Sequence, residues 1–199
     1  MPVIEKEEIR KSELVELIKL DSSLKLDIRY ATSNNFLGRL LYKEAKAFLQ
    51  EPVAEDLVKV NKELQKRDYG LLIYDGYRPW SVTKIFWDET VLEKRKFVAD
   101  PEIGSNHNRG TAVDLGLYDL KTGKSLPMPC EFDTFSEEAF PSYKGGTDEE
   151  KRNRDFLIQI MEKDSNFKVH PYEFWHFDHK DCKKYQIMDV AFHNLKLKD

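Results

Sequence analysis

The segment Ala-Val-Asp-Leu-Gly-Leu, which begins at Ala112, constrains the fold of this chain more than any other part of the sequence. Side chains alternate between the two faces of a β-strand, so one face of this segment carries only valine and leucine. The other face carries Asp114 between two very small residues. A half-buried carboxylate needs a partner, and small neighbours let an ion or a substrate approach the backbone. We therefore predict a strand with one face in the core and the other in a functional site.

Hydrophobic periodicity predicts helices and strands along the rest of the chain. Apolar residues recur at helical spacing in three segments, Tyr42 to about Arg67, Trp80 to about Phe97, and Asp148 to Lys163. Short apolar or aromatic runs predict further strands at residues 24–29, 70–74 and 173–177. Turn-forming residues predict a hairpin at 118–125.

These elements predict a single folded unit. Hydrophobic residues make up 40% of the chain and charged residues 34%, which is enough apolar material for a core. Neither a repeat nor a flexible linker divides the sequence, so we predict one domain over residues 1–199. The mixture of elements predicts an α+β fold with a mainly antiparallel sheet, helices packed on it and the functional site at the sheet.

The charge balance argues against two classes of partner. Lys and Arg number 32 and Asp and Glu number 36, a formal net charge of −4, so we expect no nucleic acid partner. No apolar run approaches the roughly 20 residues that span a bilayer, so we expect no membrane partner. The N-terminal segment is charged from Glu5 onward and lacks the apolar core of a secretory signal, which favours the cytoplasm. Cys130 and Cys182 are expected to be reduced thiols.

Two distant segments offer ligands for a metal ion. His107 lies in a Gly- and Asn-rich loop just before the predicted strand and is free to fold back toward Asp114. Imidazole and carboxylate groups are both good zinc ligands. The spacing alone equally allows an ion pair between Asp114 and Arg109, with His107 on the surface.

The second segment runs from Glu173 to His179 and is rich in aromatic residues, which favours a strand. Residues three apart point to opposite faces of a regular strand, so Glu173 can join His176 only at an irregular strand entry or through a bulge. We expect His176 and Asp178 to share one face and Trp175 to lie on the other. A single histidine among aromatic residues is more often packed than a ligand.

Together the two segments match the composition of a catalytic zinc site. Such a site has three protein ligands and an open position for water, and here two histidines, one aspartate and an unligated glutamate are available. His179 and Cys182 are weaker candidates as ligands. A third feature is Arg78, which Pro79 biases toward an extended backbone at the end of a predicted strand. Taken alone, Arg78 reads as an ordinary salt-bridge residue.

Four motifs in register resemble the VanX-like D-alanyl-D-alanine dipeptidases. The family's S-x-H-x-x-G-x-A-x-D pattern lies at Ser105–Asp114, and its E-x-W-H pattern at Glu173–His176. G-Y-R-P lies at Gly76–Pro79, and D-x-R-Y-A-T-x-x-N-F-x-G at Asp27–Gly38. The match runs from about residue 24 to residue 180 in the family's order. Any one motif is weak evidence, but four in order are specific.

The resemblance implies a role for each matching residue. One Zn²⁺ per chain would be bound by His107, Asp114 and His176. Glu173 would be the catalytic base, and Arg78 would stabilise the transition state. Asp133 would bind the free amino group of the substrate, although on sequence alone it reads as a turn-forming residue.

Ser105 and Tyr30 lie within the matching motifs and are expected to contact the substrate as well. The chain departs from the family's M-G-T-x-F-D pattern at Pro129 and Cys130, so we expect the pocket wall and the substrate preference to differ there.

The resemblance thus implies a zinc metallopeptidase that hydrolyses D-alanyl-D-alanine or similar small dipeptides with a free amino terminus. The alternative is a zinc carboxypeptidase or endopeptidase acting on longer peptidoglycan stem peptides. A third interpretation is a non-catalytic, zinc-stabilised binding module. The presence of Glu173 and Arg78 argues against that module, because a structural zinc site is usually closed by four protein ligands.

Overall fold

The computed structural model describes residues 1–2, 9–163 and 165–197. Its main sheet has five strands, in the spatial order β2 (Lys25–Leu26), β4 (Tyr69–Asp75), β5 (Ala112–Asp119), β7 (Glu173–His179) and β6 (Phe167–His170). β2 runs parallel to β4, and the other three pairs are antiparallel. A smaller antiparallel pair consists of β1 (Leu14–Glu16) and β3 (Phe48–Gln50). The predicted α+β class with a mainly antiparallel sheet is confirmed.

The α-helices are α1 (Leu17–Leu20), α2 (Glu51–Gln65), α3 (Trp80–Glu89) and α4 (Asp148–Glu162). Helices α2 and α4 contact the main sheet and each other. The first turn of α4 is fixed by a capping box, in which Thr147 and Glu150 each accept a hydrogen bond from the other's backbone N–H. The predicted helix at Asp148–Lys163 is therefore confirmed.

The core lies on the apolar face of β5. Val113, Leu115 and Leu117 are buried there in one cluster with Leu57 of α2 and Leu157 of α4. Burying a side chain of this size contributes about 1.5–3 kcal/mol. This face holds β5 against the helices and turns Asp114 to the opposite face, as the alternation in the sequence predicts.

One predicted helix is wrong in its first part. The segment from Tyr42 to Arg67 was expected to be a single helix, but Phe48–Gln50 forms strand β3 and α2 begins only at Glu51. The strand forms because its backbone pairs with β1, a non-local contact. Pro52 then lies in the first helical turn, where its missing N–H has no cost.

Three further predictions hold only in part. The segment from Trp80 to Phe97 is an α-helix to Glu89 and a 3-10 helix from Leu92, because Thr90 is extended. The strand expected at residues 24–29 shrinks to β2 and is followed by a 3-10 helix at Arg29–Ala31. The residues expected to form a hairpin do turn back, with a bridge between Tyr118 and Ser125 and a hydrogen bond from Asp119 N–H to the Lys124 carbonyl, but they do not form a second strand.

The strands predicted at 70–74, 112–118 and 173–177 are confirmed as β4, β5 and β7. The organisation of the 199 residues as a single domain stays a prediction. Within the described ranges, none of the helices has the length and apolar character needed to cross a membrane.

Candidate active site

A cavity of about 420 Å³ opens on the face of the sheet that carries Asp114. All eight side chains singled out from the sequence line it: Tyr30, Arg78, Ser105, His107, Asp114, Asp133, Glu173 and His176. They come from the loop after β2, the end of β4, the loop before β5, the turn near residue 133 and two strands. The cavity therefore gathers residues that are far apart in the sequence.

Three of these side chains converge on one point. Asp114 on β5 is the direct cross-strand neighbour of His176 on β7, and its Oδ1 lies 3.0 Å from His176 Nδ1. Its Oδ2 lies 3.3 Å from His107 Nε2. One nitrogen or oxygen from each residue falls within 4.8 Å of the others, which is a spacing that could hold a metal ion.

The ring orientations of the two histidines are set by groups behind them. His107 Nδ1 lies 2.7 Å from the carbonyl oxygen of Gly76, and His176 Nε2 lies 3.1 Å from Oδ1 of Asp178. Both partners accept hydrogen bonds, so these nitrogens are the donors in neutral imidazoles. The lone pairs then lie on His107 Nε2 and His176 Nδ1, which face each other at 3.1 Å. Partners of this kind are typical of metal-binding histidines.

This arrangement fits a cation. Two nitrogen lone pairs and a carboxylate that point at each other repel unless a positive charge lies between them. In the described part of the chain, Asp114 Oδ1 is buried without a hydrogen bond of acceptable geometry. Burial lowers the pKa of His176, but the neighbouring carboxylates of Asp114 and Asp178 raise it well above its usual range. The site therefore stabilises positive charge.

Glu173 lies beside this group without belonging to it. Its Oε2 is 3.7 Å from His176 Nδ1. The pairing of β6 with β7 shifts between Val169 and His170, the residue that faces Glu173, so the irregularity that the sequence requires is present. Burial raises the pKa of Glu173 to about 8, and positive charge at the neighbouring ligands would lower it again.

The irregularity also re-aims Trp175. The sequence predicted that Trp175 would lie on the face opposite His176, but both side chains line the same cavity. Strict alternation fails here because β7 pairs with β5 only from His176 onward.

Arg78 is held by Asp75, a residue to which the sequence assigned no role. Its Nε and Nη2 each donate to Oδ2 of Asp75 at 2.8 Å. Oδ1 of Asp75 accepts hydrogen bonds from Tyr42 Oη and from the backbone of Gly76. The guanidinium also lies 3.5 Å from Asp114 Oδ2. The ordinary salt bridge is therefore present, and it points the guanidinium into the cavity.

Asp133 lies in a turn and also lines the cavity, so it fits both interpretations given above, a turn-forming residue and a carboxylate near the substrate. It lies in a turn closed by a hydrogen bond from Thr134 N–H to the carbonyl of Glu131, with φ of 66° at Asp133. Its Oδ1 accepts a hydrogen bond from Tyr30 at 2.9 Å. Its Oδ2 is one of the few buried oxygens without a partner in the described part of the chain, and burial raises its pKa to about 7. The turn thus places in the cavity a carboxyl group with one hydrogen-bonded oxygen, Oδ1, and one oxygen without a partner, Oδ2.

Ser105 supports the loop that presents His107. Its Oγ accepts a hydrogen bond from the His107 backbone at 3.2 Å, and its own N–H donates to Asn108 Oδ1. The loop turns at Gly110, where φ is 68° and a Cβ would lie 2.6 Å from Leu14. Glycine at this position lets the loop return toward β5.

The residues behind the alternatives that the sequence left open can each be located in the structure. Arg109 donates to the carbonyl of Tyr185 rather than to Asp114, and His107 is buried rather than on the surface. His179 bonds to Asp56 on α2. Cys182 lines the cavity but stands outside the ligand group.

Three residues of the site were missed. Asp75 directly precedes the G-Y-R-P motif, and Asp178 shares a face with His176 as expected but was given no function. His170 lines the cavity with its ring 5.1 Å from that of His176. Its position follows from strand β6, which the sequence pattern did not reveal, so no local signal pointed to it.

Comparisons with known proteins cover most of the chain. The Peptidase_M15 family, described as D-ala-D-ala dipeptidase, matches residues 10–195. The D-alanyl-D-alanine dipeptidase of Escherichia coli (strain K12) is 31% identical over 181 residues, which are 91% of this chain and 92% of that protein. The protein of the same name from Enterococcus faecium is 33% identical over 176 residues, covering 78% and 85%.

Two solved structures are also similar. The LdcB LD-carboxypeptidase has a TM-score of 0.43 and 20% identity, covering 95% of this chain and 81% of its own. VanYB in complex with D-Alanine-D-Alanine has a TM-score of 0.42 and 14% identity, covering 69% and 74%.

Proposed function

Because this chain belongs to the Peptidase_M15 family of D-Ala-D-Ala dipeptidases, we propose that it hydrolyses D-alanyl-D-alanine, or a similar small dipeptide with a free amino terminus, to two amino acids. Both relatives described above are named D-alanyl-D-alanine dipeptidase, and each matches this chain over most of its length. The observation that carries the proposal is a single cavity lined by a candidate metal-ligand set, a half-buried glutamate, an arginine and a carboxyl group with one oxygen that has no partner among the described residues.

The ion in this proposal is one Zn²⁺ per chain, bound by His107, Asp114 and His176. Two imidazoles, one carboxylate and an open position are typical of catalytic zinc. When bound, zinc would lower the pKa of a water molecule to about 7 and polarise the substrate carbonyl. The hydrogen bonds from the two rings to Gly76 and Asp178 support this assignment, because they leave the correct nitrogens free.

Glu173 and Arg78 perform the proton transfer and the charge stabilisation. Glu173 takes the proton of the attacking water and passes it to the leaving amine. Its carboxyl group lies 3.7 Å from His176, close enough to the ligand set to reach a water molecule there. The Arg78 guanidinium stabilises the oxyanion of the tetrahedral intermediate, and a donor of this kind typically contributes about 3 kcal/mol.

Asp133 reads the amino terminus of the substrate. Its Oδ2 accepts a hydrogen bond from the ammonium group, while the hydrogen bond from Tyr30 holds Oδ1 in place. Ser105 is a further substrate contact on the cavity wall. A substrate with an acetylated amino group would leave the buried carboxylate without a partner, which is costly.

A substrate panel tests the function and the role of Asp133 together. The zinc-loaded protein is assayed with D-Ala-D-Ala, N-acetyl-D-Ala-D-Ala, L-Ala-D-Ala and a tripeptide. We expect hydrolysis of D-Ala-D-Ala with a specificity constant at least about 10-fold higher than that of the acetylated form, because the unpaired carboxylate costs about 1–3 kcal/mol. Asp133→Asn should narrow this ratio, whereas the exposed control Asp88→Asn should not.

Two results would contradict the proposal. Activity confined to the tripeptide would favour the carboxypeptidase alternative. Activity on D-Ala-D-Ala with an unchanged ratio in Asp133→Asn would retain the dipeptidase but remove Asp133 from recognition of the amino terminus.

A further inference from the structure

A second cavity, of about 310 Å³, lies on the same face of the main sheet as the catalytic cavity. Its lining includes Gly116, which is two residues beyond Asp114 on β5, and Leu72, the cross-strand neighbour of Gly116 on β4. Residues two apart on a strand share a face. The two cavities are therefore neighbours along one surface of the sheet.

The wall between them is formed by aromatic side chains. Trp175 lines both cavities. Phe132 lines the second cavity, and Asp133, the next residue, lines the catalytic cavity. The positive φ of Asp133 in the turn closed between Glu131 and Thr134 aims the two consecutive side chains at different spaces, as at the third position of a type II turn.

Phe132 is packed tightly in this wall. Its ring stacks on Tyr74 at 4.7 Å and meets the rings of Trp175 and Tyr30 edge-on at 5.7 and 6.0 Å. Tyr74 lies directly over Gly116, where a Cβ would be 2.7 Å from the tyrosine oxygen. The small residue beside Asp114 thus makes room for the ring that supports Phe132.

We propose that Phe132 limits the length of the substrate by closing the catalytic cavity at the amino-terminal end of the dipeptide. The inference rests on the proposed function, in which Asp133 binds the substrate's ammonium group. A peptide with one more residue at that end has to continue past Asp133, toward the wall in which the ring of Phe132 packs behind Trp175 and Tyr30. Without the ring, the extra residue enters the second cavity, whose volume lies in the range that accepts small ligands.

The chemistry of the second cavity indicates which longer peptide fits. Its polar lining includes the carboxylates of Asp27, Glu131 and Glu150 and the guanidinium of Arg29. Arg29 is paired with Asp27 at 2.8 Å and with Glu131 at 3.5 Å, so the carboxylates outnumber the cation. A peptide with a free ammonium terminus is therefore favoured there over an acetylated one.

The test compares hydrolysis of L-Ala-D-Ala-D-Ala with that of D-Ala-D-Ala in the zinc-loaded protein. Phe132→Ala should raise the ratio of the tripeptide to the dipeptide specificity constant by at least about 10-fold, the size of effect that a pocket change of this kind produces. The acetylated tripeptide should gain less. Phe132→Leu, which keeps apolar volume and removes the ring, should give a smaller rise.

Phe135→Ala is the matched control. Phe135 lines the catalytic cavity and stacks on Phe97, but it does not line the second cavity. Its loss enlarges the site without joining the two spaces, so the ratio should stay at the parent value. Circular dichroism and thermal melting establish that each variant is folded. If Phe132→Ala does not fold, Phe132→Leu decides the question.

An unchanged ratio in the folded Phe132 variants would overturn the inference, and so would an equal rise in Phe135→Ala. These results are distinguishable from a failure of the proposed function. In that case the parent protein itself would not hydrolyse D-Ala-D-Ala, whereas here the parent would remain an active dipeptidase with the same preference as the variants.

Discussion

Glu173 stands apart from the three candidate metal ligands although it lines the same cavity. Its Oε2 lies 3.7 Å from His176 Nδ1, and each imidazole has its hydrogen-bond partner elsewhere. Removing the charge of Glu173 should therefore leave the ligand set complete. Glu173 carries a proton in the proposed mechanism, so an experiment can separate its effect on turnover from any effect on zinc binding.

We predict that Glu173→Gln retains one equivalent of zinc while its turnover falls at least about 100-fold, because general-base catalysis contributes about 10²–10⁴. Metal analysis and steady-state kinetics on the same sample measure both quantities. Loss of zinc from this variant would make Glu173 a ligand and would contradict its assignment as the base.

Asp75 controls the position of Arg78 from behind the cavity. It receives two hydrogen bonds from the guanidinium and one from Tyr42, and it is almost fully buried. We predict that Asp75→Asn lowers turnover by up to about 100-fold, since a small misplacement of a catalytic group has an effect of this size. The Michaelis constant should change much less, because the charge that Arg78 meets develops in the transition state.

Steady-state kinetics separate these effects, and thermal melting establishes that the Asp75 variant is folded. The exposed Asp88→Asn is the matched control and should behave like the parent. A change confined to the Michaelis constant would show that Asp75 does not act through Arg78.

At the scale of elements, helix α2 is anchored to the sheet by the carboxylate of Asp56. Its Oδ2 accepts hydrogen bonds from Asn166, which precedes β6, and from His179 at the end of β7. Oδ1 pairs with Lys59 at 2.7 Å. Burial alone raises the pKa of Asp56, but these three partners lower it to about 2. One side chain thus joins a helix to two strands.

We predict that Asp56→Ala lowers the free energy of unfolding by about 1–3 kcal/mol near neutral pH, because it leaves His179 and Asn166 without an acceptor. The folded-state pKa lies below the ordinary value of 3.8, so the contribution of the carboxylate is present above that value and is lost as pH falls toward 2. Denaturant titrations of parent and variant at several pH values measure the difference. The exposed Glu55→Ala is the control, and a difference that stays constant down to pH 2 would contradict the prediction.

In the complete fold, the candidate metal-ligand set joins three separate parts of the chain. His107 comes from the loop before β5, Asp114 from β5 itself and His176 from β7. An ion that binds only the folded arrangement stabilises it by mass action, by about 2.7 kcal/mol at a concentration 100 times its dissociation constant. Zinc should therefore contribute to stability as well as to activity.

We predict that a chelator lowers the melting temperature of the zinc-loaded protein and that added Zn²⁺ restores it. Differential scanning fluorimetry with and without the chelator measures the shift. His176→Ala should bind little zinc and show little response, whereas the exposed His193→Ala should respond like the parent. Stoichiometric zinc in His176→Ala would show that the ligand assignment is wrong.

Local sequence patterns are enough to predict the strands of the site and the chemical groups available there. The alternation after Ala112 places Asp114 opposite the core face, because strand geometry is local and has a period of two. The turn at Asp133 and the need for an irregular backbone at Glu173 follow from local geometry as well. The motifs brought the same eight residues together that line the cavity, although their individual roles stay predictions.

Which segments meet depends on long-range contacts in the folded chain. Phe48–Gln50 is a strand because it pairs with β1, although its own pattern suits a helix, and β-propensity depends strongly on such partners. The lone pairs of the histidines are set by the carbonyl of Gly76 and by Asp178. Each of these features depends on a contact between residues distant in sequence. A local pattern cannot encode such a contact, because its energy arises only when the folded chain brings the two partners together.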